Sequence, residues 1–199
     1  SNFLLDEVAE GKVRKWSAPN LSPAKGGLEK WSASDIVKYL KTGFTVSRAG
    51  VWGPMNDVVL NSTSKMTDED LQAMAAYLKD LPPREVKGKV PEDQAKAGQA
   101  LYKDKCSKCH MDSGRGGMFN GPPLAGSAVA QADDPASAIN IVLYGPAAPK
   151  EVKTGAWETM KPFAESLKDE EVAALLNYVR GSWDNVGRPV TAADVAKQR

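Results

Sequence analysis

Two cysteines and one histidine are the only thiols and imidazole in 199 residues, and they stand together as Cys106-Ser107-Lys108-Cys109-His110. C-x-x-C-H is the pattern that attaches haem covalently. Each thiol adds across one porphyrin vinyl group and becomes a thioether, and the two intervening residues let both sulfurs reach their own edge of one ring. The adjacent imidazole then lies under the iron as the proximal ligand. Other chemistries use the same residue types. A structural zinc site takes four protein ligands, so three Cys/His residues would need a carboxylate or a second chain. A thioredoxin-like redox pair needs a βαβ setting, whereas Ala97-Gly98-Gln99-Ala100-Leu101-Tyr102 reads as helix. A disulfide between cysteines this close would constrain little chain. Coincidence leaves unexplained why the only histidine follows the second cysteine.

With no second histidine, a bis-histidine iron within one chain is excluded, and a methionine thioether is the next natural sixth ligand. The methionines are Met55, Met66, Met74, Met111, Met118 and Met160. Met111 directly follows His110 and belongs on the proximal side, and Met118 sits in the glycine-rich Gly114-Arg115-Gly116-Gly117-Met118-Phe119. Met160 is separated from His110 by enough chain to wrap around the ring to its far face. Pro162, in Met160-Lys161-Pro162-Phe163, would stiffen the loop presenting the sulfur. Met160 is therefore the expected sixth ligand and Met118 the reserve, the plainer role of any methionine being core filler.

Helical segments must position these groups. Pro91-Glu92-Asp93 suits a helix start, followed by an apolar face of Ala97, Ala100, Leu101 and Tyr102 running up to Cys106. Gly121-Pro122-Pro123-Leu124-Ala125-Gly126 cannot be regular helix. A helix is expected from Pro135 to Tyr144, with Ala138, Ile139, Val142 and Leu143 inward, ending at Gly145-Pro146. Ser166-Leu167-Lys168-Asp169 has a capping-box form ahead of Val172, Leu175, Leu176 and Val179, the spacing of one buried stripe. No segment alternates with period two for long, so a sheet is not expected.

The first half uses the same pattern without the cysteine motif. Ser32-Ala33-Ser34-Asp35 opens a helix with Ile36, Val37 and Leu40 on one face, ending near Gly43. Thr67-Asp68-Glu69-Asp70 opens another, with Leu71, Met74, Ala75 and Leu78 inward. Thr67-Asp68-Glu69-Asp70-Leu71 aligns with Lys168-Asp169-Glu170-Glu171-Val172, Gly43 with Gly145, Leu21 with Leu124, and Met55 roughly with Met160. A repeat at roughly one hundred residues indicates duplicated domains rather than a solenoid. The division expected is residues 1–83, a linker 84–91, a haem-binding domain 92–186 and a tail 187–199. Nothing before Cys106 can form a thioether, so the first half is a degenerate domain or a truncated one.

Composition excludes several classes. Hydrophobic residues at 42% and charged residues at 26% are those of a soluble globular chain, not a disordered one. No apolar run reaches the length of a membrane span. Lys+Arg 26 against Asp+Glu 25, a net charge of +1, gives no basic field for nucleic acid. Ser1-Asn2-Phe3-Leu4-Leu5-Asp6-Glu7 lacks the basic start and apolar stretch of a signal peptide and reads as a mature end or the edge of a fragment.

Residues 91–186 resemble a class I c-type cytochrome. The likeness rests on Cys106-Ser107-Lys108-Cys109-His110, on Gly121-Pro122-Pro123-Leu124-Ala125-Gly126, on Met160-Lys161-Pro162-Phe163 and on the helix that follows Leu167. It implies an all-α fold, a small helical bundle around one covalent haem c, with His110 and Met160 as axial pair and the Pro122 carbonyl on the His110 ring nitrogen. Residues 18–83 are similar to the later part of another such domain, through Ala18-Pro19-Asn20-Leu21-Ser22-Pro23 and Asp35-Ile36-Val37-Lys38-Tyr39-Leu40-Lys41-Thr42-Gly43. Together they resemble the multihaem cytochrome subunits of periplasmic and membrane-bound dehydrogenases, including those for alcohols.

The function expected is single-electron transfer between a periplasmic dehydrogenase or similar donor and a respiratory acceptor, without catalysis by this chain itself. The expected location is the periplasm. One alternative is a haem enzyme or small-ligand binder with a displaceable methionine; another is that residues 1–83 dock a dehydrogenase partner or a second copy. Trp157, three residues before Met160, is the tryptophan expected to wall the haem pocket.

Overall fold

A computed structural model describes residues 4–9, 12–146 and 157–199. Regular structure is mostly helical. The order is β1 (Leu4–Ala9), β2 (Lys12–Ser17), α1 (Ala33–Thr42), β3 (Phe44–Thr45), β4 (Ala49–Gly50), α2 (Met55–Asn61), a 3-10 turn Thr63–Lys65, and α3 (Asp68–Asp80). Then come α4 (Glu92–Ala97), α5 (Gln99–Lys105), α6 (Ser107–His110), α7 (Ala136–Tyr144), α8 (Asp169–Gly181) and α9 (Ala192–Ala196).

The first half is built on α1 packed against α3. Ser32 caps α1 by accepting from the Asp35 N–H at 3.0 Å, while the Asp35 carboxylate accepts from the Ser32 N–H at 3.0 Å. This reciprocal pair satisfies two of the donors that a helix start leaves open. Gly43 ends α1 at φ 75°, a left-handed conformation that glycine adopts without steric cost. Thr67 caps α3 through the Asp70 N–H. Leu28, Ile36, Leu40, Leu71 and Ala75 form the core, with Met74 and Leu78 packed on its edge.

The second half centres on α7 and α8. Its core takes Ala138, Ile139, Val142 and Leu143 from α7, and Val172, Leu175, Leu176 and Val179 from α8, the stripes expected of both helices. Both α3 and α8 are 13 residues long, and α1 and α7 each end at a glycine of positive φ, Gly43 left-handed at ψ 6° and Gly145 outside that region at ψ 164°.

Four expectations need correcting. Strands are present: β1 pairs antiparallel with β2 (Leu4 opposite Ser17, Val8 opposite Val13), and β3 pairs with β4. Tertiary hydrogen bonds hold β2 where periodicity gave no signal. The Ser17 N–H donates to Ser137 Oγ at 2.8 Å, Ser137 Oγ donates to the Ser17 carbonyl at 2.8 Å, and Asn140 donates to the Lys15 carbonyl at 2.9 Å. The residue capping α8 is Lys168, not Ser166. Its N–H is accepted by the Glu171 carboxylate at 2.8 Å, while Ser166 donates to the Phe163 carbonyl. The inward face of α4 and α5 is Ala95, Gly98 and Tyr102, at i, i+3 and i+7, with Ala97 and Ala100 exposed; the buried face runs through Gly98, which has no side chain to mark it. Finally, the segment after Pro83 is no free tether. Val86 and Val90 are buried, the Arg84 N–H donates to Ser22 Oγ at 2.9 Å, and the Gly88 carbonyl accepts from the Gly187 N–H.

The tail is also part of the core. Val190 and Val195 are buried in the same cluster as α8, and Asn177 pairs with Val190 through both its amide groups at 2.7 and 2.9 Å. Arg180, fully buried, donates to the carbonyls of Ala130 (2.6 Å), Ala132 (3.0 Å) and Arg188 (2.9 Å). Burial pushes its pKa down to about 10, well above neutrality, so the guanidinium stays charged and its three bonds are charge-assisted.

Candidate haem site

The short turn α6 carries the motif. Cys106 ends α5, and its carbonyl accepts from the N–H groups of Cys109 and His110. The two sulfurs are therefore presented half-buried from one helical turn, with no disulfide between them. Burial, with Cys109 and Asp104 adding to it, pushes the Cys106 thiol up to about 12. His110 is only 8% exposed, and its Nδ1 lies 2.8 Å from the Pro122 carbonyl. Burial pushes its pKa below the ordinary imidazole range despite the opposing pull of that carbonyl. A neutral imidazole donating from Nδ1 leaves Nε2 as the nitrogen for a metal.

The loop after His110 folds back beneath it. Met111 turns the chain at φ 62°, a conformation costly for a side chain with a Cβ, and Tyr102 donates its hydroxyl to the Met111 carbonyl at 2.7 Å. Trp183 donates to the Asp112 carbonyl at 3.0 Å and completes an aromatic cluster with Tyr102 and Tyr178. Gly116 donates to the His110 carbonyl, and Leu124 and Ala125 both donate to the Gly114 carbonyl. These bonds place the Pro122 carbonyl at the Nδ1 edge of the ring. A Cβ on Gly121 would meet His110 Cε1 at 3.4 Å and the Cys109 carbonyl at 3.2 Å, so glycine leaves the imidazole its space.

Met160 is half-buried against the core cluster that also takes Cys106, Leu124 and Phe163. Its position is set after α7. Phe163 donates to the Val142 and Leu143 carbonyls at 3.1 Å, and Ala164 to that of Leu143 at 2.9 Å. Met118 is 62% exposed, next to Phe119 at 66%. Trp157 donates from Nε1 to the Gly117 carbonyl at 2.9 Å. The Tyr102 and Trp183 bonds have no signal in the sequence, since neither partner is near its residue in a recognisable motif.

Among the described residues no group of three or more His, Cys, Asp and Glu side chains forms a closed set for a metal ion, so the donor set does not suit zinc. It does suit haem c: two thiols on one turn, a buried imidazole with Nδ1 engaged, and an apolar wall on one side. No described helix is long and apolar enough to cross a membrane.

Comparison with known proteins agrees with this donor set. The cytochrome c family model matches residues 95–183. The cytochrome c-552 of Thermus thermophilus is 36% identical over 116 residues, covering 53% of this chain and 76% of that protein. The cytochrome c subunit of quinone alcohol dehydrogenase from Gluconobacter oxydans is 36% identical over 201 residues, 94% of this chain and 42% of that protein. The cytochrome c subunit of gluconate 2-dehydrogenase from Pantoea cypripedii is 32% identical, covering 92% of this chain and 45% of that protein. This chain belongs to the cytochrome c family. It is a class I c-type cytochrome, a haem protein of electron transport, and it spans less than half the length of the dehydrogenase subunits it matches.

Proposed function

We propose that this chain carries one haem c, bound through Cys106 and Cys109 with His110 and Met160 as axial ligands, and relays single electrons within a dehydrogenase complex. The observation that carries the reading is the buried His110 imidazole, its Nδ1 held 2.8 Å from the Pro122 carbonyl on the turn that bears both thiols. The bond fixes the ring's orientation and raises the basicity of Nε2. The haem, when bound, supplies a one-electron ferrous/ferric couple. Cys106 and Cys109 hold it against loss. Met160 closes the sixth position to substrate, and a thioether there favours the reduced state and so a higher potential. The chain on this reading transfers electrons and does not itself catalyse a substrate's oxidation.

Residues 92–186 form the haem unit in this proposal, with 84–91 joining it to residues 1–83 and 187–199 closing it. The names of the relatives, cytochrome c subunits of dehydrogenases, support a dehydrogenase as donor; the proposal adds a respiratory acceptor, met through redox contacts of the small class, under ~1,200 Å². The periplasm is the compartment this implies. The test is the intact mass of these 199 residues after haem attachment in a periplasm, together with the reduced absorption spectrum. A gain of one haem over the polypeptide mass, with sharp low-spin bands, is the expected result. A high-spin ferric spectrum with fast binding of an added ligand would overturn the ligation and favour ligand-binding chemistry. A mass with two or more haems would overturn the count.

A further inference from the structure

The segment carrying Met160 is anchored on both sides, and the two anchors differ in origin. On its C-terminal side, Phe163 and Ala164 bond to the end of α7 within the second half. On its N-terminal side, Trp157 is held from two directions. Its Nε1 donates to the Gly117 carbonyl, in the loop that returns to His110, and its ring receives the edge of Phe44, centroid to centroid 4.5 Å at 73°. Phe44 belongs to the first half, and a short chain of contacts fixes it there. It begins the β3–β4 pair, Val51 N–H bonds the Gly43 carbonyl beside it, and Arg48 and Ser47 both bind the Asp35 carboxylate at 3.2 Å. That carboxylate already closes the capping box of α1.

We propose that Phe44 is a positioning residue for Met160. By clamping Trp157 it fixes one end of the segment that presents the methionine, so that the first half governs how readily the sixth ligand leaves. The proposal rests on Met160 being that ligand. An edge-to-face aromatic pair contributes beyond simple burial. Losing it lowers the cost of swinging the segment away while leaving Cys106, Cys109, His110 and the α7 anchor untouched.

The test uses the ferric holoprotein and two readouts: the long-wavelength absorption of the iron–methionine bond, and the affinity for imidazole, which must displace that methionine. Phe44→Ala is expected to keep the absorption and raise imidazole affinity roughly three- to tenfold. Phe44→Tyr, which restores the ring, should return it to the parent value. Met160→Ala separates the two claims. If it abolishes the absorption and Phe44→Ala leaves imidazole affinity unchanged, Met160 is the ligand and the positioning role is overturned. If it retains the absorption, the ligand assignment fails and the proposal with it. Should Phe44→Ala lose helix content, Phe44→Leu keeps most of the volume without the aromatic edge, and unchanged affinity there overturns the proposal equally.

Discussion

The backbone of Gly98 rests directly on the carbonyl of Ala174: a Cβ added at Gly98 would lie 2.0 Å from that oxygen. The contact is backbone to backbone, so no side chain can rotate out of the way. Further along the same crossing, a Cβ on Gly181 would come within 2.7 Å of the Ala95 Cβ. Alanine would improve local helix propensity by about 1 kcal/mol. Forcing the α4–α5 segment off α8 should cost more, about 1–3 kcal/mol net of relaxation. Gly98→Ala is therefore expected to lower the melting temperature of the holoprotein by several degrees, and Gly98→Val by more. A parent-like melt would show that the crossing has room.

Tyr102 offers a sharper probe of the turn beneath the imidazole. Its ring is buried among Tyr178 and Trp183, so Tyr102→Phe preserves the packing and removes only the hydroxyl that bonds the Met111 carbonyl. The Met111 carbonyl keeps the Gly114 N–H as a partner, so the cost is that of one net hydrogen bond, about 0.5–1.5 kcal/mol. Denaturant unfolding should show a loss in that range. Amide exchange should accelerate at 111–116, where Gly114 N–H bonds the Met111 carbonyl too, and no faster exchange there would put the cost elsewhere.

Arg180 supplies donors to three carbonyls at once. Arg180→Met relieves the desolvation of a buried charge but abandons Ala130, Ala132 and Arg188 together. The orphaned acceptors should prevail, with a loss of about 3 kcal/mol. Arg180→Lys should recover only part of it, because one ammonium cannot span a fork that a planar guanidinium spans. Equal stability of the Lys variant and the parent would show that the charge alone matters there.

Acid should loosen the contact that holds Phe44, and should do so late. Burial tends to raise the pKa of Asp35, but hydrogen bonds from Ser32 and the hydrogen bond and charge of Arg48 outweigh it and hold the carboxyl below its ordinary value. A depressed folded-state pKa gives stability that is fully present above the unfolded value and is lost as pH falls through the folded one. The loss thus falls below the ordinary aspartate range, at about pH 4 and under. Asp35→Asn should cost about 1 kcal/mol at neutral pH and flatten that part of the acid limb. Parallel acid limbs in parent and variant would assign the acid sensitivity to other carboxylates.

Much of the helical frame was readable before any coordinates. Ile36 and Leu40, Leu71 and Ala75, and the stripe from Val172 to Val179 recur at helical spacing because each helix buries one face. The N-terminal hairpin was not readable. Adjacent charged residues, Asp6-Glu7 and Arg14-Lys15, break any period-two pattern in the sequence, and Ser17 and Asn140 hold β2 by bonds that no local pattern announces. Ala97 and Ala100 misled because the buried face passes through Gly98, whose backbone lies against Ala174 and which carries no apolar side chain to mark it. In the candidate site, Cys106, Cys109 and His110 stand out because two thioethers on one ring require near-adjacency in the chain. Pro122 was reachable only by resemblance, since its carbonyl is common to every residue. Phe44 carried no signal at all, its partner Trp157 lying in the other half.

The hydrogen bonds between Ser17 and Ser137 join residues 120 positions apart. Closing so long a loop adds little to the thermodynamic cost, since each doubling of length costs only about 0.6 kcal/mol. It weighs more on time, because contacts between distant residues are slow to form. Cys106, Cys109 and His110 all lie within the loop that this clasp closes, whereas Met160 lies beyond it. The turn bearing both thiols and the imidazole is thus enclosed by one event, and Met160, the sixth ligand of the proposal, arrives from outside the enclosure.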